Sequence, residues 1–307
     1  MHKAALFFNP LSGRRRNRRL ADVEAVLSVI RAAGVVITAT PTRAQSDAAV
    51  QTRQAIAEGC DTILACGGDG TVHDVLQGMV GSQAALGVIP LGTANALAHD
   101  LRLPLSAVGA ARAALTAKPR RISVGHVTYQ DFSGQPGSRY FTVAAGIGVD
   151  AHLFYKLNPL AKGRLGMAAY YAKATQLWLT HQMENFVVES APGHRAEVSQ
   201  LLAVRIRNFG GVLRELAPGA SLERNDLRLV LFRTSSRIAY LSYIVRGLIG
   251  ATWAVRGIDL VASNRADCLP VSKTGPRIFV EADGELLGTL PAQISTVPEA
   301  VTLLVPD

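Results

Sequence analysis

Residues 62–80 read Thr-Ile-Leu-Ala-Cys-Gly-Gly-Asp-Gly-Thr-Val-His-Asp-Val-Leu-Gln-Gly-Met-Val, and their reading decides the fold. Thr62 to Cys66 is a short apolar run of the kind that forms a buried strand. Gly67-Gly68-Asp69-Gly70-Thr71 then lets the backbone turn sharply and lets a ligand approach without Cβ interference. Val72 to Val80 continues with helical spacing, and the first turn of such a helix offers N–H groups and a positive dipole end to an anion. Asp69 is out of place in a phosphate cradle, because a carboxylate repels phosphate. It makes sense there if it holds a metal ion, orients a water or accepts a hydrogen bond from a substrate hydroxyl. A plain strand–turn–helix junction would use the same dipeptides, so the weight of the motif comes from its neighbours.

Those neighbours repeat the pattern. Upstream, Ala4–Phe8 is an apolar strand followed by Asn9-Pro10-Leu11-Ser12-Gly13, then five arginines between Arg14 and Arg19, then a helix over Leu20–Ala33 stopped by Gly34. A second strand over Val35–Thr38 and a helix over 46–58 lead into Thr62. Downstream, a strand over Leu86–Ile89 precedes Pro90-Leu91-Gly92-Thr93-Ala94-Asn95, with helices over Ala94–Leu101 and Ala107–Ala117. Strands alternating with helices at this spacing predict an α/β layer with a mostly parallel sheet. Loops that follow parallel strands share the C-terminal edge of the sheet, where ligands bind. Three loops rich in Gly, Ser, Thr and Asn on one edge predict a nucleotide site, and the absence of G-x-x-x-x-G-K-[ST] makes it a site without a P-loop.

Near Pro119 the texture changes. Val124–Tyr129, Tyr140–Ala145, Phe186–Glu189, Leu201–Arg207, Leu227–Phe232 and Ile278–Glu281 read as strands, with helices near 165–182 and 236–250. A second domain rich in antiparallel β is therefore predicted to begin near 123, and the length of 307 residues suits two domains. Apolar residues make up 49% of the chain and charged residues 18%, which excludes wholesale disorder. The formal charge of +9 favours anionic partners such as nucleotides or phospholipid headgroups. Its Lys and Arg form no patch interleaved with aromatics, so nucleic acid is not an expected partner. Three cysteines without C-x-x-C spacing argue against a disulfide framework and a structural zinc. The seven histidines lack ligand spacing, and His73 and His99 read as local contacts rather than bases. The longest apolar stretch, Ile238–Val255, is interrupted by Arg246 and bounded by Arg237 and Arg256, too charged to cross a membrane. A soluble, cytoplasmic chain is expected.

Asn9-Pro-Leu-Ser-Gly13, Gly67-Gly-Asp-Gly-Thr71, Pro90-Leu-Gly-Thr-Ala-Asn95 and Asp283-Gly-Glu285 stand in the order of the diacylglycerol kinase catalytic-domain family, which the chain resembles over nearly its whole length. The resemblance implies a Rossmann-like nucleotide domain over 1–122, with a C-terminal return at about 292–307, and a β-sandwich-like lipid-acceptor domain over 123–291, the active site lying in the cleft between them. It implies that Asn9, Pro10, Leu11, Ser12 and Gly13 contact ATP phosphates, that Gly68, Asp69, Gly70, Thr71, Val72, His73 and Asp74 cradle the nucleotide, and that Thr40, Thr93 and Asn95 add contacts. Lys162 and Arg164 resemble the family's basic segment facing the phosphates. Asp283 and Glu285 correspond to its catalytic acids, with Glu285 the proton acceptor; if 281–285 continues as a strand, the two lie on one face. Implied with these are ATP, the Mg²⁺ it carries, and a lipid acceptor met at the inner face of the membrane, where the protein would be peripheral. Diacylglycerol, phosphatidylglycerol, a sphingoid base, ceramide and a polyprenol all present such a hydroxyl. The oligomeric state stays open, a homodimer included.

Two positions depart from the family pattern. Ser123 stands where an aspartate is usual, and Glu223-Arg224-Asn225 stands for an Asp-Asp-Gly run. The expectation is that the family's structural Mg²⁺ is absent and that Arg224 supplies positive charge instead. Gly146-Ile-Gly148-Val-Asp150-Ala matches G-x-G-x-x-A, but in the β-rich half and without the acidic residue about 20 positions later that a dinucleotide fingerprint requires; resemblance would put Asp150 on the lipid side. The aromatics Phe154, Tyr155, Tyr170, Tyr171 and Trp178 read as core, or as the edge of a lipid entrance. The rival functions are an NAD kinase-like enzyme, which shares the Gly-Gly-Asp-Gly loop, and a catalytically weakened regulator that binds lipid or nucleotide.

Overall fold

The computed structural model describes residues 1–10, 18–42, 47–149, 183–191, 193–210, 215–251, 253–272 and 274–306. It divides into two units: Met1–Val124 with Asn208–Leu213 and Val297–Asp307, and Gly125–Arg207 with Arg214–Thr296.

The first unit alternates strand and helix: β1 (Lys3–Phe8), α1 (Arg19–Ala32), β2 (Val36–Pro41), α2 (Asp47–Ala57), β3 (Thr62–Gly67), α3 (Asp69–Met79), β4 (Ala85–Pro90), α4 (Ala96–Asp100) and α5 (Ala107–Thr116). The strands pair in parallel in the order β4-β3-β1-β2. Every residue of β3 and β4 is buried, as a parallel strand covered on both faces requires. Helix α1 buries Val23, Val26, Leu27 and Ile30, the i, i+3, i+4, i+7 stripe of a surface helix, and α5 is capped by Ser106, whose side chain accepts from the Gly109 amide. The end of the chain returns to this sheet, pairing Thr302 and Leu303 in parallel with Ala85 and Leu86.

The second unit is antiparallel. Its strands are β5 (Lys118–Gln130, which starts in the first unit), β6 (Pro136–Phe141), β7 (Ala144–Gly148), β8 (Phe186–Ser190), β9 (His194–Val198), β10 (Gln200–Val204), β11 (Leu227–Phe232), β12 (Ile258–Ser263), β13 (Arg265–Pro270), β14 (Phe279–Ala282) and the start of β15 (Glu285–Val305). One helix, α6 (Arg237–Ile249), lies between β11 and β12 in the chain. One run of ladders goes β12-β11-β10-β7-β14-β15, and a second goes β9-β8-β13-β15. Phe141, Ile147, Phe186, Leu201, Leu229, Val280 and Ile294 share one core.

The strand pattern differs from the sequence expectation in two respects, a strand that is broken and four strands that were not foreseen. The single strand expected over Tyr140–Ala145 is the end of β6 and the start of β7, broken at Thr142 and Val143 because the amides there turn toward a carboxylate described below. Gly146 lies inside β7, paired with β10 and β14, and Gly148 ends the strand paired with β10, so, as the missing acidic residue suggested, they form no dinucleotide turn. Gly148 has φ +108°, and a Cβ there would stand 2.5 Å from the Ser199 carbonyl. Strands β9, β12, β13 and β15 also went unforeseen. The expected helix near 165–182, its aromatics, and Asp150 lie outside the described residues.

Candidate functional site

Helix α3 begins at Asp69, three residues before the point suggested by hydrophobic spacing, so Asp69 and Gly70 belong to its first turn. This corrects the reading of Asp69. Its Oδ2 accepts the Asn95 amide at 2.9 Å and its Oδ1 the Ala96 amide at 2.7 Å, so the carboxylate caps α4 and binds one loop to the next. Asn95 is equally occupied: at φ +52° its Oδ1 accepts the Gly92 amide at 2.8 Å, while its Nδ2 donates to the Gly92 carbonyl at 3.1 Å. The Leu91 amide donates to the Gly67 carbonyl at 2.8 Å. Between these bonds Gly68 and Gly92 meet backbone to backbone, and a Cβ on Gly92 would lie 2.4 Å from the Gly68 Cα. The two loops form one glycine-surfaced unit held by a half-buried acid–amide lock.

Which side chains can reach a ligand follows directly. Thr71, Val72 and His73 are buried, His73 completely, so any contact from them is made by main chain. Asp74 is half-buried and Thr93 is exposed. Asn9 and Pro10, both half-buried, leave the C-terminal end of β1, and Thr40 lies opposite Phe7 near the end of β2. Parallel pairing therefore brings Asn9, Pro10, Thr40, Gly67–Thr71 and Leu91–Asn95 to the same edge of the sheet. Leu11, Ser12, Gly13, Lys162 and Arg164 lie outside the described residues. Arg19, the last of the arginine run, is buried, and its Nη2 donates to the Leu91 carbonyl at 2.9 Å. Burial pushes the Cys66 thiol beneath this edge up to about 12, against the pull of Arg19, which rules it out as a nucleophile. His99 packs against Gly210, a local contact.

The Asp283-Gly284-Glu285 motif is a hairpin. Asp283 and Gly284 take φ +48° and +82°, forming the two-residue turn between β14 and β15, with Ala282 paired to Glu285. The two acids thus do not share a strand face, and Asp283 is not placed for proton transfer. Its Oδ1 accepts the amides of Val143 (2.9 Å) and Ala144 (3.1 Å), its Oδ2 the Thr142 amide (3.0 Å) and the Thr142 hydroxyl (3.4 Å), and its own amide donates to the Ala144 carbonyl. Asp283 is the clasp of the hairpin. Glu285 opens β15 half-buried, and burial, with the charges of Asp131 and Glu285, pushes the Tyr129 hydroxyl up against the opposing Arg139. Sequence reasoning missed Glu281, buried in β14, whose Oε2 accepts the Gly284 amide at 3.0 Å; the available signal was an acid inside an otherwise apolar strand.

The 220–226 loop also differs from expectation. Arg224 pairs with Asp226 through bonds of 2.6 and 2.5 Å at the surface, and these hold the Asp226 carboxyl below the usual carboxylate range against its partial burial. The cation inside the loop is Arg205, fully buried: Nη1 donates to the carbonyls of Arg224 (2.9 Å) and Asp226 (2.6 Å), and Nη2 to that of Leu222 (3.1 Å). Burial brings its guanidinium down to about 10, with Asp226 opposing, so it stays charged at neutral pH. Ser123 is buried in β5.

Residues 3–127 match the diacylglycerol kinase catalytic domain, and residues 142–305 match the YegS C-terminal NAD kinase beta sandwich-like domain. The chain belongs to the diacylglycerol kinase catalytic-domain family. Within this family it is similar to the diacylglycerol kinase of Bacillus subtilis strain 168, 26% identical over 310 residues, covering 100% of this chain and 97% of the relative. It is likewise similar to the diacylglycerol kinase of Staphylococcus aureus strain MRSA252, at 26% identity over 99% of this chain and 93% of the other. In fold, the family member resembles a diacylglycerol kinase from Bacillus anthracis strain Sterne, with a TM-score of 0.73 at 19% identity over 100% of this chain and 97% of that one. Yeast NADH kinase complexed with NADH shares the fold more distantly, with a TM-score of 0.52 at 10% identity over 100% and 84% of the two chains. The 9–13, 67–71 and 90–95 motifs fall in the first matched span of the kinase family and 283–285 in the second.

Proposed function

We propose that this family member is an ATP-dependent lipid kinase, which moves the γ-phosphoryl group of Mg·ATP to a hydroxyl of a lipid such as diacylglycerol. The observation that carries this reading is the Asp69 lock: it fixes two glycine-lined loops side by side at the C-terminal edge of a parallel sheet, a backbone surface suited to phosphates at the start of a helix. Main-chain groups of Gly68 and Gly70, the exposed Thr93, and Asn9 with Pro10 are its proposed nucleotide contacts; Leu11–Gly13 and Thr40 extend the set.

Phosphoryl transfer passes through a loose transition state, so positioning and charge stabilisation do most of the work. The lipid hydroxyl oxygen bonds to the γ-phosphorus as the bond to the bridging oxygen of ADP breaks, and the hydroxyl proton passes to the Glu285 carboxylate. A strong base is not required, because the proton leaves late. Lys162 and Arg164 are the proposed cations for the phosphate oxygens. Mg²⁺ supplies charge neutralisation between the phosphates and is proposed to arrive on the nucleotide, since this ion is usually held by phosphates, water and one or two carboxylates. The 222–226 loop does not fit a further Mg²⁺, because the carbonyls of Leu222, Arg224 and Asp226 already accept from the Arg205 guanidinium. A protein peripheral to the inner face of the membrane follows from a bilayer-embedded acceptor.

Transfer of labelled γ-phosphate from Mg·ATP to a panel of lipids in mixed micelles, with NAD as a separate acceptor, tests the reading. Label in one lipid supports it. NADP formation would replace it with the NAD kinase-like alternative, and nucleotide binding without turnover on any acceptor would replace it with the regulator.

A further inference from the structure

Helix α6 is apolar on two faces, and the rest of the unit uses one of them. Tyr240, Tyr243, Arg246 and Gly247 face inward. Tyr240 and Tyr243 pack on Phe232 with ring centroids 4.4 and 5.3 Å apart; the Tyr243 hydroxyl donates to the Leu216 carbonyl, and Arg246 Nη2 donates to the same carbonyl at 3.2 Å. Ser236 caps the start, and Gly250, in the left-handed conformation, closes the end. The helix is anchored.

Its outward face has the composition of a core. Ile238 is 81% exposed, Leu241 53% and Ile249 62%, with Ile244 and Val245 between them at helical spacing. Trp253, 43% exposed, stands four residues beyond Ile249, after the helix has ended. A helix on the surface of a soluble unit ordinarily turns polar residues to water. The arginine that interrupts this apolar stretch in the sequence, Arg246, is buried, so it leaves the outward stripe uncharged. At 13 residues the helix is about 20 Å long, against a hydrocarbon core of about 30 Å. No helix among the described residues is long and apolar enough to cross a membrane.

Charge selects the occupant. Residues 233–256 contain no Asp or Glu; with Arg246 buried, the remaining cations are Arg233, Arg237 and Arg256, in a chain of formal charge +9. The nearest acid along the chain, Asp259, pairs with Arg233 at 3.3 Å. A second copy docked about a two-fold axis would set arginines against arginines. An anionic bilayer attracts them instead, and it takes an apolar stripe and a Trp at headgroup depth.

We propose that the outward face of α6, with Trp253, is the membrane-docking surface of this protein, lying in the headgroup region of an anionic bilayer. The inference rests on the lipid kinase reading for its purpose, which is to hold the enzyme on the surface that contains its acceptor. The test is co-sedimentation with large unilamellar vesicles of phosphatidylcholine, with and without phosphatidylglycerol, comparing the full chain with an Ile238→Asp/Leu241→Asp variant and, separately, Ile249→Asp. All three positions are exposed, and a thermal melt confirms that each variant folds. Expected are binding that requires phosphatidylglycerol, about tenfold weaker partitioning in the double variant, and a blue shift of Trp253 emission on vesicles in a Trp178→Phe background. Partitioning of both variants equal to the parent overturns the proposal, as does a parent that ignores anionic vesicles. So does a parent dimer that the double variant dissolves while vesicle binding stays unchanged. Transfer from Mg·ATP to a short-chain diacylglycerol dispersed as monomers separates the two claims. It is retained in the docking variants, and its absence in the parent counts against the kinase reading while the vesicle result stands.

Discussion

Asp69 and Asp283 are acids whose oxygens are taken by main-chain amides, and each holds together stretches far apart in sequence, 26 and about 140 positions away. For that reason the sequence shows an acidic motif without showing what the acid does. Nothing local in Gly-Gly-Asp-Gly or Asp-Gly-Glu says which amides will turn toward the carboxylate. Glu285 lies one residue beyond the turn that Asp283 clasps, so the two acids of one motif should separate experimentally. Asp283→Ala removes a charged acceptor from three amides and a hydroxyl and puts Ala at positive φ, so unfolding in denaturant should show a loss of about 2–4 kcal/mol. Glu285→Gln should leave stability within about 0.5 kcal/mol. At Asp226 the folded carboxyl titrates below its unfolded value because Arg224 hydrogen-bonds it. The stabilisation is complete above the ordinary carboxylate range and is lost as pH falls through the folded value. Arg224→Met should therefore lower Tm slightly at neutral pH, as expected for an exposed pair, and flatten its fall below about pH 4 by the same small amount, so that the two proteins converge at low pH.

At the scale of elements, the Gly68–Gly92 contact is a backbone-to-backbone constraint on the proposed nucleotide edge. Gly92→Ala forces the β3–α3 and β4–α4 loops apart, and the expected outcome is nucleotide binding weakened by about tenfold or more in equilibrium dialysis, with a smaller loss of Tm. Arg205→Met strips a buried guanidinium from three carbonyls, and a denaturant melt should show a loss of about 3–5 kcal/mol. The parallel elements were legible because each is an apolar run closed by Gly, Pro or a capping residue: Thr62–Gly67 and Ala85–Pro90 are buried throughout and leave no competing period. Strand β15 was not, since Gly288, Pro291 and Pro298 punctuate it as turns would, yet it runs unbroken for 21 residues because its pairing passes from the β-rich unit to the parallel sheet. The break between β6 and β7 was hidden for the opposite reason, a continuous apolar pattern interrupted by the demand of a distant Asp283.

For the whole molecule, the order of four short motifs pointed to the family, and two matched spans that together cover most of the chain agree with it. The sequence also presented the loops correctly as neighbours, because strand direction alone fixes which ends share an edge. What it assigned to chemistry was in part architecture, with Asp69, Asn95 and His73 serving the scaffold that the proposed nucleotide would meet. The central claim is a division of labour in which the welded loops hold Mg·ATP and Glu285 takes the proton of a lipid hydroxyl. The most direct measurement is single-turnover transfer of labelled γ-phosphate to diacylglycerol in mixed micelles by the full chain and by Glu285→Gln, with ATP binding measured on both. The account predicts transfer by the full chain, a fall of about a hundredfold or more in the variant, and unchanged ATP affinity. Equal transfer rates in the two proteins, or a variant that fails only because it no longer binds ATP, would contradict it.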